Sequence, residues 1–343
     1  MAYLVTGGCG FVGSNLTAEL IKRGERVVVA DNLTRPGTPS NLAWLRELGS
    51  FEFFHTDTRN FHDVEALFRK FDVQCVFHLA GQVAMTTSLE NPRRDFEVNV
   101  LGTINVLDCV RLHAPEATVV YASSNKVYGE LEELVLVEKE TRYEPSGTKE
   151  IDERARLAFF TPYGCSKGAA DQYMLEYARS YGVNAVVFRH STIYGGRQIS
   201  SFDQGWVGWF CQRALDLLED PASSFTINGN GKQVRDLLHV TDAVACYLAA
   251  HEHLAAARGQ AFNIEGGYEN SMSLRELFVH LENKLGVKMR PQELPWRASD
   301  QKYFVADNAK AGKYIRWAPQ VTKEKGIADA IDWEQSRRAP EKR

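Results

Sequence analysis

Apolar runs recur through the first half of the chain: AYLVT from Ala2, ERVVVAD ending at Asp31, FEFFHTD at Asp57, VQCVFHLAG at Gly81, TVVYASS at Ser124 and NAVVFRHS at Ser191. Between them, SNLTAELIKRG from Ser14 and the stretches Asp63–Phe71, Pro92–Leu112 and Gly164–Tyr181 carry apolar residues at helical spacing. Continuous apolar strands alternating with amphipathic helices predict an α/β chain built on a doubly wound parallel sheet, whose ligands bind beyond the carboxyl ends of the strands. That geometry lines up Gly7, Asp31, Asp57, Ala80, Gly81 and Ser124 along one edge, beside the helix that carries Tyr163.

After Ser191 the pattern is less regular. DQGWVGWFCQRALDLL reads as a helix, a short strand reaches Arg235-Asp236, and a helix starts near Thr241 or Asp242, either of which could cap it. AFNIEGG is a further strand, SLRELFVHLENKLG a helix with an apolar face, and a terminal helical region covers Lys323–Gln335. The expected division is a nucleotide-binding domain over 1–190, with a segment returning at about 235–265, and a smaller mixed α/β C-terminal lobe over 191–343. With no repeat or low-complexity linker, the lobe should lean on the first domain and form a cleft with it. Glu130 to Phe160 is long, charge-rich and weakly patterned, an insertion that could cover the cleft or meet a neighbouring subunit.

At 343 residues the chain can bury a large core, and a net charge of −4 gives no reason to expect nucleic acid or an anionic membrane as partner. Strand-like residues begin at Ala2, leaving no room for a signal peptide, and no apolar run is long enough to span a bilayer, so a cytoplasmic protein is expected. Cysteines 9, 75, 109, 165, 211 and 246 stand singly, which argues for reduced thiols and against a disulfide frame or zinc knuckle. His251-Glu252-His253 lacks a completing ligand and reads as a solvated helix face, so no metal is expected. The basic tail from Arg337 to Arg343 reads as a frayed terminus.

Two stretches carry chemistry. Gly7, Gly10 and Gly13 in GGCGFVG follow a strand and open a helix, the arrangement in which backbone approaches a pyrophosphate at a positive helix end. Asp31, ending the next long strand, can accept from an adenosine ribose and would repel a 2′-phosphate, so NAD is favoured over NADP. In TPYGCSK, Tyr163 and Lys167 lie one turn apart on one helical face. An ammonium nearby favours the phenolate and brings tyrosine into range as a base.

GGCGFVG, Asp31, Asp57, HLAG, Asn99 in FEVNVLGT, SSNKVYG, YGCSK, YGGR and VRDLLHVTD together resemble the extended short-chain dehydrogenase/reductase family, over nearly the whole chain. The resemblance implies a Rossmann-type fold, tightly bound NAD and a reactive triad of Ser124, Tyr163 and Lys167. It implies cofactor contacts from Phe11, Val12, Asn32, Thr58, Leu79 and Asn99 beside the glycines, Asp31, Asp57, Ala80, Gly81, Tyr163 and Lys167. For the substrate, a nucleotide-diphosphate sugar, it implies Asn125, Lys126, Thr192, Gly196, Arg197, Arg235, Arg297 and Asp300. Arg235 reads equally as a structural ion-pair partner, and Lys126 as a surface charge.

Sugar 4,6-dehydratases of this family carry an aspartate-glutamate pair where this chain has Asn125-Lys126, and a lysine cannot accept the proton that elimination requires. The narrower similarity is to epimerases that invert C2 of a CDP-sugar through a 2-keto intermediate. The same triad serves any ring position, so a UDP-sugar 4-epimerase remains the alternative, and a dinucleotide-sensing scaffold a third reading. Thr192 and Gly196 stand where the wider epimerase pattern has asparagine and proline. The family also implies a homo-oligomer, dimer or tetramer, paired through the helices at Pro92–Leu112 and Gly164–Tyr181.

Overall fold

A computed structural model describes residues 1–297 and 300–338. Seven parallel strands form one sheet, running from edge to edge as Glu52–His55, Val27–Asp31, Ala2–Thr6, Val73–His78, Thr118–Ala122, Asn184–Arg189 and Gln260–Asn263. Period-two alternation buries both faces. Leu4, Val28, Val76 and Val119 pack under the helices carrying Val106, Ala170 and Met174, while Val5, Val29, Phe77, Val120 and Phe188 pack against Leu16, Leu20 and Tyr247. Because the chain leaves the first strand toward one edge and returns to the other, a crevice opens between Ala2–Thr6 and Val73–His78.

The outermost strand, Gln260–Asn263, and the helix Val240–Glu252 come from the segment expected to return. The other C-terminal elements gather around Val234–His239, which pairs with Ser271–Ser273, Tyr303–Phe304 and Thr192–Tyr194. A second core of Phe210, Phe225, Leu277, Phe278, Ile327 and Ile331 lies beneath them.

Several expectations need correction. The helix expected over Pro92–Leu112 is three pieces: Pro92–Phe96, a π-turn Glu97–Leu101, and Gly102–His113. The wide turn sits where the Asn99 side chain is drawn sideways onto Gln82 and Thr103 bonds back to the Asn99 carbonyl. Helices Thr38–Leu48 and Met85–Glu90 were not foreseen, since neither carries a clean apolar stripe. Neither Thr241 nor Asp242 caps the Val240–Glu252 helix: His239 does, and Asp242 instead accepts from Gln320 and Val321 N–H.

Glu130 to Phe160 packs against the C-terminal lobe. Its hairpin Leu136–Glu138/Tyr143–Pro145 is anchored by Arg142 on Glu276, and Ile151 pairs with the 305–307 segment. His251 is no solvated face, because its ring bonds Thr118 Oγ1 at 2.8 Å and sits edge-on to Tyr3. Arg337 and Arg338 belong to the helix Lys323–Arg338 and pair with Glu334, Asp216 and Glu219; the rest of the basic tail lies outside the described residues. All six cysteines are unpaired, and only Cys165 is exposed. Among the described residues no helix is long and apolar enough to cross a membrane.

Candidate active site

The glycine loop leads into the helix Phe11–Lys22, which has no side-chain cap and no acidic residue in its first turn, so its leading N–H groups remain for an anion. Gly13 is tightly enclosed, since a Cβ there would stand 2.1 Å from the Gly7 carbonyl oxygen. A Cβ on Gly7 would meet Ala80 N at 2.7 Å, so the loop rests directly on the 79–81 turn. Asp31 holds the loop in place. Its Oδ2 accepts from Cys9 N at 3.0 Å and its Oδ1 from Leu33 N at 2.8 Å, which leaves lone pairs for ribose hydroxyls. These features fit a dinucleotide. Gly13→Ala should cut NAD affinity at least about tenfold, read by titration of cofactor-stripped protein, because the loop must open to admit the methyl.

Asn32 closes its own turn by accepting from Thr34 N and Oγ1. Asp57 is engaged by Arg59, which holds its carboxyl below the usual range, and Thr58 packs its hydroxyl against Gly102. Leu79 N and Ala80 N bond Thr6, while Phe11 and Val12 stand half-buried at the helix start. Gly81 lacks a side chain where one would crowd Asn99 Oδ1 and Lys167 Nζ, both 3.2 Å from its position.

The helix Thr161–Tyr181 carries Tyr163 and Lys167 into the crevice. Tyr163 is buried beside Ser124, which follows strand Thr118–Ala122 and whose hydroxyl favours the phenolate. Lys167 Nζ donates to the Ala122 carbonyl at 2.7 Å and lies over the Tyr121 ring. Burial pushes the Tyr163 phenol up to about 12, against the opposing pull of Ser124 and of the Arg35 charge. Burial also brings Lys167 down to about 8. In the protein alone Lys167 Nζ is turned to a backbone carbonyl, and the Arg35 charge also favours the phenolate.

Toward the C-terminal lobe, Lys126 and Arg235 approach Asp300. Lys126 is half-buried, and burial and Arg235 lower it to about 8, so it is no ordinary surface charge. Arg235 Nη2 meets Asp300 at 3.1 Å. Arg297 is held by Asn228 and Asp203 and stacks on Phe202. Thr192 accepts from Trp206 Nε1 at 3.2 Å. Gly196 and Arg197 point to a different duty. The Gly196 carbonyl accepts from Asn15 at 3.0 Å, and the Arg197 guanidinium lies between the rings of Trp44 and Trp333, 3.9 and 4.9 Å from their centroids. Those contacts tie the 196–198 strand exit to the glycine-loop helix, and Arg197 contacts neither Ser124 nor Tyr163 among the described interactions.

The structure also brings in residues that the sequence reading passed over. Gln82, Asp95 and Ser166 join Asn99 in one buried network, with Gln82 N on Asn99 Oδ1 at 2.9 Å, Asn99 Nδ2 on Ser166 Oγ at 2.9 Å, and Ser166 Oγ on Asp95. His78 links Thr6 to Thr103 behind the same loop, and burial lowers it to about 3, so it stays neutral. Arg35, in the loop after Asp31, was legible as a cation near the expected crevice; the others were hidden because their partners lie far away in sequence.

Behind Arg235, Asp236 is fully buried and accepts from Gly267 and Ala306 N–H, both at 3.0 Å. Burial raises its carboxyl to about 7, so the fold favours the protonated acid. Its stabilising contribution is complete below about pH 4 and is lost as pH rises through about 7. Asp236→Asn, which keeps the accepting oxygen, should flatten that part of the stability–pH curve in denaturant unfolding.

A profile of the NAD dependent epimerase/dehydratase family matches residues 3–264. A CDP-paratose 2-epimerase from Salmonella typhi is 52% identical over 340 residues, covering 98% of this chain and 100% of that relative. A putative UDP-glucose 4-epimerase from Methanocaldococcus jannaschii is 30% identical over 335 residues, covering 96% and 97%. The crystal structure of Thermus thermophilus UDP-glucose 4-epimerase in complex with NAD is similar with a TM-score of 0.81 at 30% identity, covering 98% of this chain and 99% of that one. Likeness of this extent, running through both the glycine loop and the Tyr163 helix, makes the chain a member of the NAD dependent epimerase/dehydratase family.

Proposed function

We propose that this protein inverts C2 of a CDP-sugar, interconverting CDP-paratose and CDP-tyvelose, with CDP-glucose a second candidate substrate. The observation that carries the reading is the 52% identity to a CDP-paratose 2-epimerase along the whole chain, against 30% for a UDP-glucose 4-epimerase. Asn125-Lys126 supports it, because neither side chain replaces the carboxylates that dehydration uses.

A carbinol C–H is too weak an acid for a side chain to remove, so inversion has to pass through a planar ketone. Bound NAD supplies the oxidising equivalent and recovers it in the same cycle, and its positive ring favours a nearby phenolate. The glycine loop, Asp31 and Lys167 would hold it. Tyr163 Oη takes the proton of the C2 hydroxyl and later returns one to the oxygen of the inverted centre, while Ser124 hydrogen-bonds the same oxygen. Lys126, Arg235, Arg297 and Asp300 supply the polar wall that grips the nucleotide end, leaving the sugar free to turn.

Homo-oligomerisation through the helices around Phe96, Leu112, Tyr173 and Tyr181 is supported by the exposure of those apolar side chains. The unpaired cysteines support a reducing cytoplasm. The second reading, inversion at C4 of a UDP-sugar, is favoured by the likeness to the Thermus structure. Incubating the protein with CDP-, UDP- and GDP-sugars without added cofactor separates the two. C2 inversion of a CDP-sugar is expected, and C4 inversion of a UDP-sugar alone would overturn the proposal.

A further inference from the structure

Asp203 stands on a tight turn of the C-terminal lobe and reaches the N-terminal domain. Ser201 and Gln204 close the turn by exchanging backbone bonds at 2.8 and 3.1 Å, which leaves Phe202 and Asp203 at its tip. The two carboxylate oxygens of Asp203 serve different walls of the cleft. Oδ2 accepts from the Thr86 hydroxyl, and Oδ1 from Arg297 Nη1 at 3.4 Å. The rest of that guanidinium is bound within the lobe, with Nη2 on the Phe202 carbonyl at 3.2 Å and Nε on Asn228 Oδ1 at 2.8 Å. Thr86 lies in the helix Met85–Glu90, just past the 79–81 turn on which the glycine loop rests. Its neighbour Met85 presents Sδ to the Thr161 hydroxyl at 3.9 Å, two residues before Tyr163. The bond from Thr86 to Asp203 therefore runs from beside the Tyr163 helix to the arginine of the nucleotide wall, across the mouth of the cleft. Thr86 faces solvent, so this bond breaks and re-forms without unpacking any core.

We propose that Asp203 is a positioning residue that, through Thr86 and Arg297, holds the cleft shut over the sugar, so that the ketone turns over inside without leaving. This rests on the epimerase reading, since only an oxidised intermediate can be lost in this way. The ketone has to present its other face before it is reduced, and in that interval no covalent bond ties it to the protein. A ketone that escapes leaves its C2 hydride on the cofactor, as NADH, and its hydroxyl proton on the protein. No second substrate takes that hydride away, so each escape removes one enzyme molecule from the cycle. Closure protects the cofactor's oxidation state as well as the sugar.

The test uses the full-length protein and a sugar nucleotide that it turns over. It counts bound NADH formed per molecule of product, from reduced-nicotinamide absorbance and product NMR. Thr86→Val keeps the size and branching of the side chain and deletes the hydroxyl, so the ratio should rise about tenfold, the worth of a hydrogen bond to a charged group. Asp203→Ala cuts the same bond and should raise the ratio at least as far. The pair Thr86→Val with Asp203→Ala should add little to Asp203→Ala alone, whereas two independent loosenings of the structure would multiply. Asp203→Asn should recover part of the loss, because a hydroxyl also accepts and the amide can donate to it. A ratio within about twofold of the parent in either single variant, Thr86→Val or Asp203→Ala, overturns the gate. Multiplying effects in the pair overturn it too. Turnover of a UDP-sugar and of no CDP-sugar would instead overturn the substrate reading, and the same ratios measured on that UDP-sugar would still decide the gate.

Discussion

Tyr163→Phe should lower kcat by about 10³-fold or more while NAD remains bound in stoichiometric amount. The phenol oxygen lies beside Ser124 at the carboxyl end of the central strands, where the serine hydroxyl favours its ionised form. The ring keeps its volume and burial in the variant, and the glycine loop, Asp31 and Lys167 are untouched. The expected result is therefore a folded protein that releases NAD on denaturation but does not turn over. Product formation measured by NMR and cofactor measured by absorbance check the two halves separately. Turnover within a few fold of the parent would remove Tyr163 from the mechanism.

Asp171→Ala should cost about 3–5 kcal/mol of stability, measured by denaturant unfolding, a large share of what a folded domain possesses. Asp171 is fully buried one turn beyond Lys167, where its oxygens accept from Arg189 Nε and Nη2, each at 2.8 Å, and from Ser123 Oγ at 2.8 Å. Arg189 continues to the Tyr128 hydroxyl at 3.1 Å, and Tyr128 to Asn263 at 2.7 Å. The network joins the Tyr163 helix, two sheet strands and the turn after Ser124. Removing the carboxylate strands a guanidinium in the core, whereas replacing both partners by apolar residues (Asp171→Leu with Arg189→Met) should recover part of the loss. If the single substitution costs under about 1 kcal/mol, the ion pair is not what holds these elements together.

The register of this fold was written in short-range pattern. Period-two apolar strands, helices at 3.6-residue spacing and a glycine triplet at a strand–helix junction named the sheet, the crevice and the pair Tyr163–Lys167, because each depends on residues close in sequence. Where polar groups bond across long separations, the pattern was silent. Nothing near Asn125 announces Gln301, nothing near Asn99 announces Ser166, and the arginine of YGGR gave no sign that Trp44 and Trp333 would enclose it. The Pro92–Leu112 stretch broke into three for the same reason, since a side chain recruited by a distant loop redirected the backbone.

The sequence by itself determined the layered architecture and the chemical groups available in the crevice, since strand and helix periodicity and residue identity are local properties. Only the tertiary structure decided the direction of each hydrogen bond and the protonation state of each buried group. Those depend on what burial removes from water and on which distant donor or carbonyl arrives opposite.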